Sequence, residues 1–296
     1  LSQNIRDPVE LERVISERKE QLIEFHGLDQ PWYYRLPDMV FRILRLDLGE
    51  ARTLRSFSGS NNVGDIVLER LPNTIMLVTS AMFVTSIIGL YVGVKIATQV
   101  GSKLERTVSY FSAISYALPA WWLGIILVIV FAFKFRILPS SGMFSVPPPT
   151  EPIYRFMDML WHAILPVFTL VVVSLGSWAY SVRTMVLNIS QEDFVNVARA
   201  KGVPENIVMR RHIIRVAAPP IVTSLIFGLT GSLGGAILTE TVFGWPGMGR
   251  LYYEAVLAAD ESVIVALTFM FTLLYVIARF ILEILYIVLD PRVRYD

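Results

Sequence analysis

Few side chains in this sequence are placed to do chemistry, and most of them are charges set against apolar runs. Arg279 and Glu283 lie one helical turn apart inside the last such run, a spacing that pairs them. Counted from Val263, Arg279 lies about 24 Å along a helix, near one boundary of a bilayer. Snorkelling or an ion pair suits it better than a proton relay. Glu240 closes a glycine-rich run, where a carboxylate is either a hydrogen-bonding gate group or an interfacial charge. His162 and His26 each lack a second ligand nearby. Trp121 and Trp122 can stack on a sugar or pack at an interface. The chain has no HExxH, no nucleophile–base pair and no G-x-x-x-x-G-K-[ST] phosphate loop. Nothing here marks hydrolytic chemistry or ATP binding by this chain.

The elements that must position these residues are built for lipid. Of 296 residues, 54 % are hydrophobic and only 17 % charged. Mean hydropathy is +0.55, and soluble domains carry about 25 % charged residues. A net charge of +1 and the high apolar content exclude a disordered chain and argue against nucleic acid as a partner. The absence of cysteine excludes a disulfide-stapled module and leaves little for a soft-metal site.

Five apolar stretches are long enough to cross a bilayer as helices. They run over 74–97, 107–133, 159–181, 219–239 and 262–289. Pro119 and Pro166 mark possible kinks. The fourth stretch carries Gly228, Gly231, Gly234 and Gly235, with Gly231 and Gly235 forming GxxxG. Such a helix packs closely or lines a moving pore. One set of short loops carries eleven Lys and Arg residues and the other set four, which makes the first side cytoplasmic. The C-terminal tail 290–296 is then cytoplasmic and residues 1–72 are extracytoplasmic. A polar external N-terminus needs something to carry it across, so a sixth span before Leu1 is expected. The expected fold is an all-α polytopic helix bundle with an external N-terminal helical segment.

That segment reads as a helix over 7–27, with Asp7, Pro8 and Glu10 marking its start and Gly27 its stop. A second amphipathic stretch covers Trp32 to Leu48, and Pro37 is expected to interrupt it. The segment is either a cap on the bundle or a docking surface for a soluble partner. A polar loop, SFSGSNNVGD, leads into the first span. Pro147 to Pro149 read as a stiff linker.

The longest loop between spans, 182–218, reads as two short helices. Ser190 followed by Asp193 marks a start, and Phe194 to Lys201 is helical in composition. Gly202 ends that helix, and Pro204 restarts another with Glu205 in its first turn. Val195, Ala198 and Gly202 share one face, whose small residues offer a low profile to another protein. Arg210, Arg211, His212 and Arg215 follow, as in a positive-inside loop near anionic lipid.

This loop resembles the EAA coupling loop of type I ABC importer permeases, in which a short helix ends at a glycine before a proline opens the next span. Gly202 and Pro219 or Pro220 occupy those places. The run Ala198-Arg199-Ala200-Lys201-Gly202, with Arg211, His212 and Arg215 downstream, is similar to the oligopeptide/dipeptide branch. So are GLDQP at 27–31 with LDLG at 46–49, ETVFGWPGMGRL at 240–251 and LDPRVRY at 289–295. The glutamate and first alanine of the EAA name fall on Asn196 and Val197.

The resemblance implies a permease domain over 73–289, with its EAA coupling loop at 190–218. Such a chain forms half of a peptide translocation pathway that works by alternating access. It implies a second homologous permease in a heterodimer, two ATPase subunits and an extracytoplasmic solute-binding protein as partners. No cofactor sits on this chain; ATP and Mg belong to the ATPases. ATPase coupling falls to Phe194, Val195, Ala198, Arg199, Ala200, Lys201, Gly202, Arg211, His212 and Arg215. The pathway or gate falls to Gly231, Gly235, Glu240, Trp245, Pro246 and Gly247. The same architecture serves oligosaccharides, nickel and opines, and a stand-alone secondary transporter or an intramembrane enzyme are the competing classes. Secondary transporters carry charged or unwound sites at mid-membrane, and none is placed centrally here.

Overall fold

Asn62 starts the first long helix. Its side chain accepts hydrogen bonds from the amides of Gly64 and Asp65, and the helix runs from Val63 to Ala97. In the computed structural model, residues 13, 14, 16, 17 and 31–289 are described. The helix expected over 7–27, with His26 and Gly27, lies outside the described residues except for Arg13, Val14, Ser16 and Glu17, which are helical. The tail 290–296 also lies outside them.

The chain divides into two units, Leu1–Gly49 and Glu50–Asp296. The first holds helix α1, Trp32–Leu44, which runs through Pro37 rather than stopping there. Pro37 is its sixth residue, so the helix continues there with one backbone hydrogen bond missing. Arg42 pairs with Asp47 at 3.1 Å just beyond its end.

Among its described residues the second unit consists of helices joined by turns and loops, with one isolated bridge between Glu50 and Asn62. Its elements are α2 (Val63–Ala97), α3 (Lys103–Ala117), α4 (Ala120–Leu127), a π-helical stretch (Val128–Lys134), α5 (Pro152–Ser190) and α6 (Asp193–Ala200). These are followed by α7 (Glu205–Ile207), a second π-helical stretch (Val208–Ile214), α8 (Arg215–Gly235), α9 (Ile237–Val242), α10 (Met248–Leu257) and α11 (Glu261–Leu289). Three helices among the described residues are long and apolar enough to cross a membrane: Val63–Ala97, Pro152–Ser190 and Glu261–Ile281. The fourth expected span, 219–239, is divided: α8 begins at Arg215, takes in Pro219 and Pro220, and ends at Gly235, and α9 starts at Ile237.

The second expected span is not one straight helix. Its arms, Lys103–Ala117 and Ala120–Lys134, meet at 98°. Leu118 is extended before Pro119 (φ −85°, ψ 122°), because the proline ring excludes the helical region for the residue before it. Pro166, by contrast, lies within α5 without ending it. Both α2 and α5 overrun the apolar stretches. At 35 and 39 residues they exceed the ~20 that a bilayer core requires.

Glycines set the closest helix crossings. A Cβ at Gly93 of α2 would lie 2.6 Å from the Ala179 carbonyl oxygen of α5, and one at Gly176 of α5 would lie 2.5 Å from Ser112 Cα of α3. Gly89 and Gly93 form a GxxxG pair that the sequence reading passed over in favour of Gly231 and Gly235. Those two lie in the last two turns of α8, and the surroundings of residues 229–235 fall outside the description. At one end of the α3–α5 pair, Arg183 forms a largely buried ion pair with Glu105. A cavity of about 330 Å³ lies between α2, α5 and α8.

Candidate functional site

The 190–218 loop is built around the end of α6. Gly202 has φ +76°, the left-handed region that glycine enters freely. The Gly202 amide donates to the Arg199 carbonyl at 2.9 Å, and the Val203 amide donates to the Ala198 carbonyl at 3.2 Å. These two bonds form a Schellman motif, so the glycine ends the helix as its sequence position implies. A Cβ at Gly202 would meet nothing within 4 Å. Its requirement is therefore conformational, not steric.

The start of α6 differs from expectation. Glu192 occupies the cap position without a side-chain cap bond. Ser190 instead ends α5, its hydroxyl donating to the Leu187 carbonyl at 2.7 Å. Pro204 precedes α7, and Glu205 opens it as expected.

The face of α6 that offers small residues points inward. Val195 and Ala198 are buried with Val182, Val186, Val208, Ile213, Ala217 and Ile221. They are packed into the core of this chain. The helical period identifies which residues share a face, but not which neighbour covers it. The outward surface is instead Phe194 (43 % exposed) and Val197 (51 %), with Ala200 and Lys201 exposed beside them.

Arg199 acts as a clamp within the loop. Its Nε and Nη2 donate to the two carboxylate oxygens of Glu205 at 3.1 and 2.7 Å, and its Nη1 reaches the Ser190 carbonyl at 3.4 Å. Those charge-assisted bonds hold the Glu205 carboxyl below its usual range and raise Arg199 above its own. Arg211 and Arg215 are exposed and His212 is half-buried. Arg211 and His212 lie on the Val208–Ile214 π-helical turn, a wide turn frequent at functional sites.

A second constellation forms around Glu240, which is fully buried rather than interfacial. Thr74 Oγ1 of α2 donates to its Oε1 at 2.7 Å, and the Arg250 amide donates to its Oε2 at 3.0 Å. Arg250 lies in the first turn of α10, where unpaired amides favour a carboxylate. The Met248 amide donates to Thr74 Oγ1 at 2.7 Å. Trp245 is fully buried, with its indole N–H donating to the Asn73 carbonyl at 3.0 Å. The Asn73 side chain returns a bond to the Pro246 carbonyl at 2.7 Å. A Cβ at Gly247 would lie 2.5 Å from the Glu240 carboxyl carbon. Glu240, Trp245, Pro246 and Gly247 are thus brought together as one knot against α2. The sequence reading missed Thr74, Asn73 and Arg250. The first two lie more than 160 positions away, and nothing in their spacing points to the partnership.

Arg279 and Glu283 are 3.6 Å apart and about half exposed, as their spacing implies. His162 is buried with Nδ1 2.8 Å from the Asp158 carbonyl.

The loop and the knot sit within a longer match. The family described as "Binding-protein-dependent transport system inner membrane component" matches residues 68–295. This chain belongs to that family. The permease chain is 31 % identical to the "Oligopeptide transport system permease protein AppB" of Bacillus subtilis (strain 168), over 94 % of this chain and 85 % of that one. It is 32 % identical to the "Di/tripeptide transport system permease protein DppB" of Pseudomonas aeruginosa (strain UCBPP-PA14), over 98 % and 90 %. Among solved structures it shares its fold with a chain of "Inward facing conformations of the MetNI methionine ABC transporter". That match has a TM-score of 0.61 at 18 % identity, covering 76 % of this chain and 96 % of the other. It is a membrane protein and the permease component of an ABC importer.

Proposed function

We propose that this permease forms half of the path by which an ATP-driven importer moves oligopeptides or dipeptides across the membrane. The observation that carries the cargo class is similarity along nearly the whole chain to permeases named for oligopeptides and for di- and tripeptides. The chain itself performs no hydrolysis; two ATPase subunits hold ATP and Mg. A second, homologous permease completes the pathway as a heterodimer, and a solute-binding protein delivers cargo from outside. Residues 1–72 lie on that outer side, and the 190–218 loop and the tail lie in the cytoplasm. The permease domain runs over 73–289.

Coupling works by rigid-body movement. Phe194, Val197, Ala200 and Lys201 present α6 to the ATPase. Val195 and Ala198 fix α6 to the ends of α5 and α8 through their shared apolar cluster. Arg199 and Gly202 hold the turn that joins α6 to the next span. The Glu240 knot ties α9, which follows the far end of α8, to α2, so movement entering at one end of α8 meets a fixed point just beyond the other.

The test is purification of the full-length chain from native membranes in mild detergent. Two ATPases and a second permease are expected to accompany it, with hydrolysis stimulated by a peptide-loaded binding protein. A chain that purifies alone and transports in liposomes without ATP overturns this reading.

A further inference from the structure

The corner where α2 gives way to α3 carries positive charge that neither the 190–218 loop nor the knot uses. Lys95, Lys103 and Arg106 are all exposed there. Arg183, Arg199, Arg250 and Arg279 each pair with a glutamate, whereas these three cations form no ion pair among the described residues. The carboxylate beside them in sequence, Glu105, is already engaged by the Gly101 amide and the Arg183 guanidinium. Arg106 reaches only the Gly101 carbonyl, at 3.5 Å.

The surface leading to these charges is apolar. Phe83, Ile87, Tyr91 and Lys95 succeed one another in steps of four along α2, a spacing that makes them neighbours on a helix. Phe83, Ile87 and Tyr91 are each more than half exposed, and Lys95 Nζ lies 5.8 Å from the centre of the Tyr91 ring. The stripe passes from apolar to aromatic to cationic over about 18 Å, close to half of a hydrocarbon core ~30 Å thick. A ring near the boundary and a lysine lifting its charge out of it mark a lipid-facing surface. Val100 and Leu104 are exposed on the same corner, apolar groups set among the cations.

We propose that the α2–α3 corner binds an anionic phospholipid, with Lys95, Lys103 and Arg106 around its headgroup and its chains along Phe83, Ile87 and Tyr91. A soluble subunit could meet the cations, but not a stripe that runs into the bilayer; a phospholipid meets both. A zwitterionic headgroup cancels its own phosphate charge, so the site favours a net anion. Each Lys or Arg near an anionic membrane surface strengthens association about fivefold. Ala97, two positions beyond Lys95, packs with Val195 and Ala198 of α6. A lipid held here braces the end of α2 against which α6 packs.

The chain has no cysteine, so Ile87→Cys gives it a single labelling site on the stripe. The variant is purified with its native partner subunits, themselves freed of cysteine, placed in nanodiscs and labelled with a fluorophore. Phospholipids spin-labelled on the acyl chain quench that fluorophore on contact. An anionic spin-labelled lipid is expected to half-quench it at about one-fifth of the mole fraction a zwitterionic one needs, or less. Lys95→Gln, Lys103→Gln and Arg106→Gln together should abolish that preference yet leave quenching by the zwitterionic lipid, which shows the stripe still folded and open. Lys95→Arg with Lys103→Arg should retain it. Inorganic phosphate, compared with chloride at equal ionic strength, should leave it unchanged. Equal quenching by the two lipids without the glutamine substitutions, or a preference that survives all three, overturns the proposal. So does quenching by neither lipid, which would place another subunit on the stripe, or loss of the preference to inorganic phosphate, which would make the corner a free-anion site.

Discussion

At the scale of single residues, Gly247 and Gly228 show how one residue type meets opposite constraints. A Cβ at Gly247 would sit against all three atoms of the Glu240 carboxyl group. That carboxylate cannot retreat, because Thr74 and the Arg250 amide hold it in place. Gly247→Ala is therefore expected to destabilise the protein by about 1–3 kcal/mol through overpacking. At Gly228 a Cβ would meet only the flexible end of Met82, at 3.6 Å. Gly228→Ala in the helix interior is expected to stabilise by about 0.5–1 kcal/mol, since alanine loses less backbone freedom on folding. Thermal unfolding of the two purified variants in one detergent checks both signs. Equal shifts would mean that the knot yields where its hydrogen bonds say it should not.

At the scale of elements, Asp260 shows how a carboxylate sets where a spanning helix begins. It precedes α11, and its Oδ2 accepts the amides of Thr53 and Leu54 at 2.8 and 3.3 Å. Burial alone pushes this carboxyl up. The amides of Thr53, Leu54, Val263 and Arg52 outweigh that and hold it below the usual aspartate range. A depressed folded pKa contributes stability that is complete above the unfolded value of about 3.9 and is lost as pH falls through the folded one. Asp260→Asn exchanges charge-assisted hydrogen bonds for neutral ones, so it should cost about 1 kcal/mol at neutral pH, and its deficit against wild type should shrink below about pH 4. A deficit that is constant from pH 7 to pH 3 would refute the ionic account. The elements also show what periodicity and hydropathy can reveal. Apolar runs located the cores of α2, α5 and α11, because lipid selects composition directly. They could not show that α2 begins at Val63 or that α5 ends at Ser190, because those turns lie beyond the apolar run. Pro119 announced a bend, but its 98° angle depends on what the second arm packs against. Glu240 was visible as a charge at the end of a glycine-rich helix, whereas Thr74 as its partner was not.

At the scale of the whole molecule, one apolar cluster connects α6 to three long helices. Val195 and Ala198 of α6 pack with Ala97 of α2, Val182 and Val186 of α5, and Ala217 and Ile221 of α8. A displacement of α6 is therefore shared among α2, α5 and α8, since close-packed cores transmit strain instead of absorbing it. The direction of that displacement depends on the turn that follows, and Gly202 fixes the turn with φ +76°. Gly202→Val puts a β-branched residue where L-residues lose about 1–2 kcal/mol or more, with no clash to disturb the rest of the fold. The turn should relax toward φ < 0, breaking the Schellman bonds and the Arg199–Glu205 clamp while the spanning helices stay intact. Assembly with the ATPases and basal hydrolysis should hold near wild type, and peptide moved per ATP should fall about tenfold, the factor that 1.4 kcal/mol represents. Gly202→Asn separates geometry from size, because asparagine tolerates the left-handed region, and it should retain most of the coupling. Measuring uptake and hydrolysis together in proteoliposomes decides the matter. A normal ratio in the valine variant would mean that α6 transmits movement through its apolar cluster alone and that the turn plays no part.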